Sequence, residues 1–479
     1  MPPEVSRRWE WKWVLGLLAL ALALRAGFVL FEQPGFYFED SLDYDLAART
    51  LLQAGHFDAK YYRFPLYPVV MAATYKVFGD GLTPLRILQS LIGTGTCFFV
   101  WLVGRHLFGP RAALLALFGA AVFPVHVVLA GIEYPVVLGM FFLWAAFAAL
   151  VRTQPGGRSM FPALILAGGG VALSALLFEG GIVGALFLLL WLLLGKRFRG
   201  ARLPALAAAG LAALVILSPW IYEMKRNRDY RALVLRPGIH LPSAPGVNPP
   251  VWAGSGENLL SSKVSGLARN PKWTLRHAWA EFLHFWNPYP DRIAAADRRF
   301  REHLHEKDPR MALDNALVGD QPRLLYAVVF SLLLLAALAG ALMAPHAVPG
   351  SVFLVAWPVL LGVCYSPFFT QMRYRIPADP AFILLGAYAL DRAWGGTFWS
   401  ELRASLKALW EGWKRVATKI AVVQTFIILF LLFAVVLGPI ALLMKIFRKD
   451  PMHAPQAAGS FWALRERTRE GMQECVKQF

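Results

Sequence analysis

Apolar residues in this chain come in long, nearly unbroken runs between short polar turns. They show neither the alternation of a half-buried strand nor the narrow stripe of a surface helix. Runs at roughly 13–31, 84–104, 111–130, 134–151, 160–177, 181–195, 203–222, 324–343, 351–368, 377–394 and 420–444 approach the ~20 predominantly apolar residues that a membrane-crossing helix needs. The pattern predicts an all-α integral membrane bundle of about 10–11 spans. Arg7, Arg8 and Lys12 precede the first run, too polar a lead for a cleaved signal peptide, so that run reads as an uncleaved anchor.

With the amino terminus in the cytoplasm, the turns holding Arg105 and Arg111, Arg152 and Arg158, and Lys196, Arg197, Arg199 and Arg202 all fall inside. Short basic loops belong there. The opposite turns carry Glu133 and Glu179. Two long segments, 32–83 and 223–322, then lie outside as external loops, the second large enough for a small cap. The last run has basic residues on both flanks, Lys414, Arg415 and Lys419 before it and Lys445, Arg448 and Lys449 after it. Gly438-Pro439 could fold it into a re-entrant hairpin, and a plain eleventh span fits equally.

Composition narrows the class. Of 479 residues, 57% are apolar and 16% charged, against roughly a quarter charged in soluble domains. Water-soluble enzymes, disordered chains and nucleic-acid binders are therefore excluded as first readings. The net charge of +18 fits cytoplasmic loops beside anionic headgroups instead. Cys97, Cys364 and Cys475 lie far apart and make neither a metal spacing nor a disulfide framework.

Polar chemistry concentrates at the ends of a few runs. Glu39, Asp40, Asp43 and Asp45 put four carboxylates into seven residues directly after the first span. Leu42 to Ala54 reads as a short interfacial helix with Ser41 as its N-cap. Asp43 and Asp45 then suit the start of a helix, whereas Asp40 precedes the cap and lacks that duty. Arg63 stands among Tyr61, Tyr62, Phe64 and Tyr67, and Arg373, Tyr374 and Arg375 arrive on the same external side before the tenth span. A guanidinium holds phosphate oxygens in a bidentate way, so Arg63, Arg373 and Arg375 are candidate phosphate ligands, with headgroup anchoring as the plainer reading. His126 and Glu133 are polar groups in apolar surroundings, facing either a cavity or a structural partner. In the large loop, Arg236 to Asn258 is turn-rich, and Pro271 to Phe285 is helical with Trp273, Leu275, Trp279, Phe282 and Phe285 near one side. No zinc pattern, nucleotide-binding glycine loop or nucleophile elbow is present.

Several words in order resemble the GT-C superfamily of polyprenyl-phosphate-sugar glycosyltransferases, in particular the protein mannosyltransferases and the lipid A aminoarabinose transferases. They are Asp40-Ser41-x-x-Tyr44, Arg63-Phe64-Pro65-Leu66-Tyr67-Pro68, Phe78-Gly79 with Arg86 and Gln89, Leu107-Phe108-Gly109, Pro219-Trp220, Phe285-Trp286-x-Pro288-x-Pro290 and Arg373-Tyr374-Arg375-x-Pro377. The resemblance covers about 10–395. It implies an external cavity in which Asp40, or alternatively Asp43, activates the acceptor. Arg63, Arg373 and Arg375 would meet the phosphate, and Glu39, Tyr67, His126, Glu133 and Tyr374 would line the cavity.

Two departures stand out: Phe178-Glu179-Gly180 replaces a Thr-Arg-Pro word, and Tyr222-Glu223 replaces an Arg-Asn pair after Pro219-Trp220. Residues 420–466 resemble the SxtJ family of small membrane proteins. The expected organisation is a catalytic membrane region 1–395, a basic cytoplasmic linker 396–419 and an accessory membrane segment 420–479. The expected activity is inverting transfer of a sugar from a polyprenyl-phosphate donor to a lipid, glycan or protein acceptor. Its setting would be the outer face of a bacterial inner membrane, with other envelope-biosynthesis proteins as partners. No cofactor and no nucleic acid are implied, and the acidic loop offers ligands for a divalent cation without establishing one. A lipid or solute transporter and a non-catalytic scaffold of an envelope polysaccharide complex are the competing classes; no internal repeat supports the transporter.

Overall fold

The computed structural model describes residues 3–31, 35–57, 61, 63–154, 157, 159–226, 270–289, 298–313, 321–368 and 370–447. Tyr62, Arg158, the turn-rich stretch 236–258, Pro290, Lys449, Cys475 and most of the SxtJ-like tail lie outside them. The described residues are helical, with a lone bridge between Phe36 and Met311. Each apolar run is a helix: α1 Pro3–Phe31, then α2 Glu39–Ala54 and α3 Leu66–Phe78 in the first long loop, then α4 Leu82–Leu107, α5 Pro110–Val122, α6 Pro124–Val128, α7 Val136–Arg152, α8 Met160–Ala175, α9 Glu179–Leu194 and α10 Arg202–Arg226. The second long loop holds α11 Pro271–Phe285 and α12 Arg298–Lys307. There follow α13 Gln321–Ala347, α14 Val352–Tyr365, the single turn α15 Met372–Arg375, α16 Asp379–Trp394 and α17 Phe398–Leu431. A π-helical turn, Leu432–Leu437, leads into α18 Gly438–Ile446.

Among the described residues, five helical stretches are long and apolar enough to cross a membrane, or six if the bent pair of α5 and α6 is one span. The remaining apolar runs form shorter helices that contribute heavily to the core: α7 buries Leu143, Trp144 and Phe147, and α16 buries Ile383, Leu384 and Leu385.

The chain divides between Leu406 and Lys407 into two units. In the first, small residues let helices approach closely, as membrane packing favours. A Cβ on Gly168 of α8 would lie 2.1 Å from the Ala209 carbonyl oxygen of α10, and one on Gly340 of α13 would lie 2.0 Å from that of Leu385 in α16. Between α5 and α6 the chain bends by 54° at Pro124. Proline has no N–H to give to the Ala120 carbonyl. Arg25 of α1, 1% exposed, supplies the missing donors, Nη2 to Ala120 O at 3.0 Å and Nη1 to Ala121 O at 3.0 Å. A cation at the carboxyl end of α5 also suits the helix dipole.

In the second unit the helix runs through Gly438-Pro439 to Ile446 without reversing, so the hairpin reading gives way to a continuous helical stretch. Gly438 and Pro439 open α18 directly after the π-helical turn, whose wider spacing takes up the missing N–H of the proline. None of the described residues of this unit is buried.

Candidate functional site

The site forms at the start of α2. That helix begins at Glu39, with Phe38 before it and no side-chain cap. Ser41 is therefore not the N-cap, and Asp40 lies inside the first turn, where a carboxylate meets the positive end of the helix dipole. The Ser41 hydroxyl instead donates to Glu133 O at 2.9 Å. The helix packs through Ser41, Tyr44, Asp45, Ala47 and Ala48, leaving Leu46 65% exposed. Asp45 is wholly buried, held by Arg49 at 2.9 Å, Arg310 at 2.7 Å and the Tyr75 hydroxyl at 2.9 Å. It anchors α2 to α3 and to the loop after α12.

Asp40 gathers partners from three distant parts of the chain. Arg63 Nη2 lies 2.7 Å from Oδ1, Arg373 Nη1 lies 3.0 Å from Oδ2, and the Tyr134 hydroxyl donates to Oδ2 at 3.0 Å. Arg63 also donates to Asp43 Oδ2, from Nη2 at 2.8 Å and from Nε at 3.1 Å. Arg373 also donates to the hydroxyls of Tyr134 and, at 3.1 Å, Tyr374. The guanidinium of Arg63 lies 5.5 Å from the ring centre of Tyr44, and that of Arg373 lies 5.7 Å from Tyr134 and 5.1 Å from Tyr374. Such cation–aromatic contacts orient the planar groups. Tyr44 meets Tyr67 and Tyr134 edge-on, and Tyr374 stacks on Tyr365. Burial pulls the Asp40 carboxyl upward, but the charges of Arg63 and Arg373 outweigh it and hold the group below its ordinary value. Burial raises the Tyr44 hydroxyl, which therefore stays protonated.

The other candidates sort into supports and outliers. Tyr67 is buried beneath Tyr44 and donates to Gln89 Oε1 at 2.8 Å. Glu133 is buried against Arg86 at 2.5 Å, and Arg86 donates to the Gly35 carbonyl, so this pair fixes the entry to α2. Glu39 is exposed at the helix start. His126 lies away from Asp40, 3.6 Å from the buried Asp379, beside a small cavity that Arg25 and Thr96 also line.

Arg375 is not brought to Asp40. It is 2% exposed and donates to the carbonyls of Phe285 at 3.0 Å and Asn287 at 2.7 Å and to the Tyr326 hydroxyl at 2.6 Å, over the Phe330 ring. Helical residues two apart point about 200° from each other, which sends Arg373 and Arg375 to opposite sides of α15. In α11 the buried face is His277, Glu281 and Phe285, with Leu275 and Trp279 outward and Trp273 and Phe282 half-buried, so the apolar side read from sequence only partly coincides with the buried one.

Tyr134 was not among the sequence candidates, although it touches both Asp40 and Arg373; its only signal was its place beside Glu133 at the end of a run. Glu179 is exposed at the start of α9, and its charge bears on Tyr44, Tyr134 and Tyr374, which puts a further acid beside the cluster. Among the described residues no three His, Cys, Asp or Glu side chains converge as a metal-ligand group. Asp40, Asp43 and Asp45 are each answered by arginine.

Residues 63–222 match the family described as dolichyl-phosphate-mannose-protein mannosyltransferase. No curated protein matches the chain in sequence. Among solved structures, ArnT from Cupriavidus metallidurans in the apo state is similar at 18% identity and TM-score 0.52, over 81% of this chain and 62% of that one. The same protein bound to undecaprenyl phosphate matches at 20% identity and TM-score 0.48, over 81% and 62%. The archaeal oligosaccharyltransferase AglB from Archaeoglobus fulgidus, with an inhibitory peptide and a dolichol-phosphate, matches at 13% and 0.49, over 81% and 51%. The chain thus spans somewhat less than two thirds of the length of ArnT. Its fold is similar to that of ArnT, all-helical among the described residues, with helices long and apolar enough to cross a membrane.

Proposed function

We propose that this chain is an inverting membrane glycosyltransferase that takes its sugar from a polyprenyl-phosphate donor and transfers it to an envelope acceptor, a lipid-linked glycan, a lipid or a protein. The observation that carries the reading is one carboxylate, Asp40, gripped by two guanidinium groups from opposite ends of the sequence, Arg63 and Arg373. The GT-C fold and the family match over 63–222 support it.

The pairing suggests an exchange. An arriving donor phosphate offers Arg63 and Arg373 oxygens at least as good as those of Asp40. As the arginines turn to the phosphate, Asp40 loses the charges that hold its proton affinity down, and it becomes a better base once the donor is bound. The acceptor oxygen or nitrogen then bonds to the anomeric carbon from the face opposite the phosphate. The carbon–oxygen bond to the phosphate breaks and its electron pair leaves with the polyprenyl phosphate, while the acceptor proton passes to Asp40. Charge growing on the leaving phosphate is met by the two arginines, the kind of electrostatic term that usually contributes most.

A bacterial cytoplasmic membrane with the site facing outward fits the topology. Arg105, Arg111, Arg152 and Lys196 to Arg202 occupy helix ends opposite those with Glu133, Glu179 and the Asp40 cluster, as positive-inside sorting would arrange. Residues 420–479 we read as an accessory segment, suited to anionic lipid or an envelope-biosynthesis partner.

The test is mass spectrometry of envelope glycans and lipids from cells with the chain, without it, and with Asp40→Asn. One species should lose the mass of a sugar when the chain is absent or carries Asp40→Asn. Identical spectra from all three would rule out this activity.

A further inference from the structure

α11 is the longest described helix of the second long loop, and two of the three residues it buries are polar. His277, Glu281 and Phe285 recur every four residues and so share one face. Glu281, 4% exposed, accepts from Thr370 N at 2.7 Å and from Thr370 Oγ1 at 2.8 Å. His284 Nδ1 lies 2.9 Å from the same hydroxyl, and His277 Nε2 donates to the Phe368 carbonyl at 2.9 Å. One turn further on, the Phe285 carbonyl and that of the neighbouring Asn287 accept from Arg375. The end of α11 therefore holds the chain three residues before Arg373 and again two residues after it.

The held segment cannot fix itself. α15 is four residues long, and so short a helix has no stability of its own in isolation. Its far side is fastened at Pro377, whose carbonyl accepts from the indoles of Trp144 at 3.2 Å and Trp357 at 3.0 Å. The near side is fastened through Thr370, where Glu281 supplies the acceptor for both the backbone N–H and the hydroxyl. Among the described residues no lysine or arginine forms an ion pair with Glu281 at this contact, and both bonds that its Oε2 accepts come from Thr370.

We infer that Glu281 is the positioning residue for Arg373, fixing the backbone from which that arginine reaches first Asp40 and then the donor phosphate. The inference rests on the phosphate role proposed above for Arg373. A displacement of about 1 Å at such a group is enough to lose a large part of its effect.

The experiment measures binding of undecaprenyl phosphate to the full-length protein in detergent, for the wild type, Glu281→Ala, Arg373→Ala and the double variant, with thermal unfolding of each. Arg373→Ala should weaken binding by about tenfold or more. Glu281→Ala should weaken it by about fivefold and the double variant no more than Arg373→Ala alone, because residues acting through one contact are not additive. Glu281→Gln keeps an amide oxygen for Thr370 N and should restore most of the affinity. A merely structural loss would instead multiply with Arg373→Ala. That outcome, or unchanged affinity in Glu281→Ala, would overturn the inference while leaving Arg373 in place. Unchanged affinity in Arg373→Ala would instead remove the phosphate role itself. Should Glu281→Ala not fold, Thr370→Val deletes only the hydroxyl half of the contact and carries the same expectation, about twofold weaker binding that vanishes without Arg373.

Discussion

Asp40 is set apart from its neighbours by its partners rather than by its type. Asp45, five residues on, is fully buried in structural ion pairs, whereas Asp40 holds Arg63 and Arg373 at a partly open position. Its lowered carboxyl has a definite pH signature. A carboxylate depressed in the folded state contributes its full stability above the ordinary value of 3.8 and loses it only as pH falls through the lowered value. In turnover, the acid limb of kcat/KM reports the free enzyme and that of kcat the donor complex. If the arginines move to the phosphate, the limb of kcat should lie at higher pH than that of kcat/KM, and coincident limbs would argue against the exchange. The arginines can be separated in the same way. Arg63→Lys and Arg373→Lys should each weaken undecaprenyl-phosphate binding by about tenfold while leaving the unfolding temperature nearly unchanged, because the charge stays and the planar fork is lost. Arg375→Lys should instead lower the unfolding temperature, since the buried carbonyls of Phe285 and Asn287 and the Tyr326 hydroxyl lose a donor.

At the scale of elements, the break between α5 and α6 shows how a charge inside an apolar bundle is stabilised. Arg25 looks misplaced in the first span, yet it answers the carbonyls of Ala120 and Ala121 that the bend at Pro124 leaves without helical donors. Arg25→Leu would leave both acceptors unmet in a buried place, a loss of roughly 3 kcal/mol. Thermal unfolding in detergent should show it as a clear drop, and an unchanged transition would mean that the bend satisfies its own carbonyls. The apolar runs made the long helices legible, and α11 was read at Pro271–Phe285 to the residue, whereas the charged α12 and the single turn α15 carried no such signal. The start of α2 was legible only approximately, because Ser41 is a good cap by composition and the choice lay with its hydroxyl contact to Glu133.

For the whole molecule, every residue of the Asp40 cluster and its supports lies before Leu406, where the first unit ends. A chain ending at Arg415 should therefore still bind undecaprenyl phosphate in detergent with an affinity within about twofold of the full chain, while losing assembly or activity in cells. Loss of binding by a truncated protein whose fold is intact would make the second unit part of the donor site. The second unit's long apolar helix, with no buried side chain among its described residues, has the character of a helix whose solvent is lipid.

By itself the sequence determined the class of the molecule, the positions of its apolar helices and the grouping of acids and arginines at one set of helix ends. Those properties are local: runs about the thickness of a bilayer and the alternation of basic turns can be read without knowing which helix touches which. Only the tertiary structure decided that Asp40 meets Arg373 across 333 residues while Arg375 turns away. The same packing placed Tyr134 between Asp40 and Arg373 and paired His126 with Asp379. These pairings follow from the rotation and contact of helices distant in sequence, and a hydrophobic run leaves its own rotation about the helix axis open until neighbouring helices fix it.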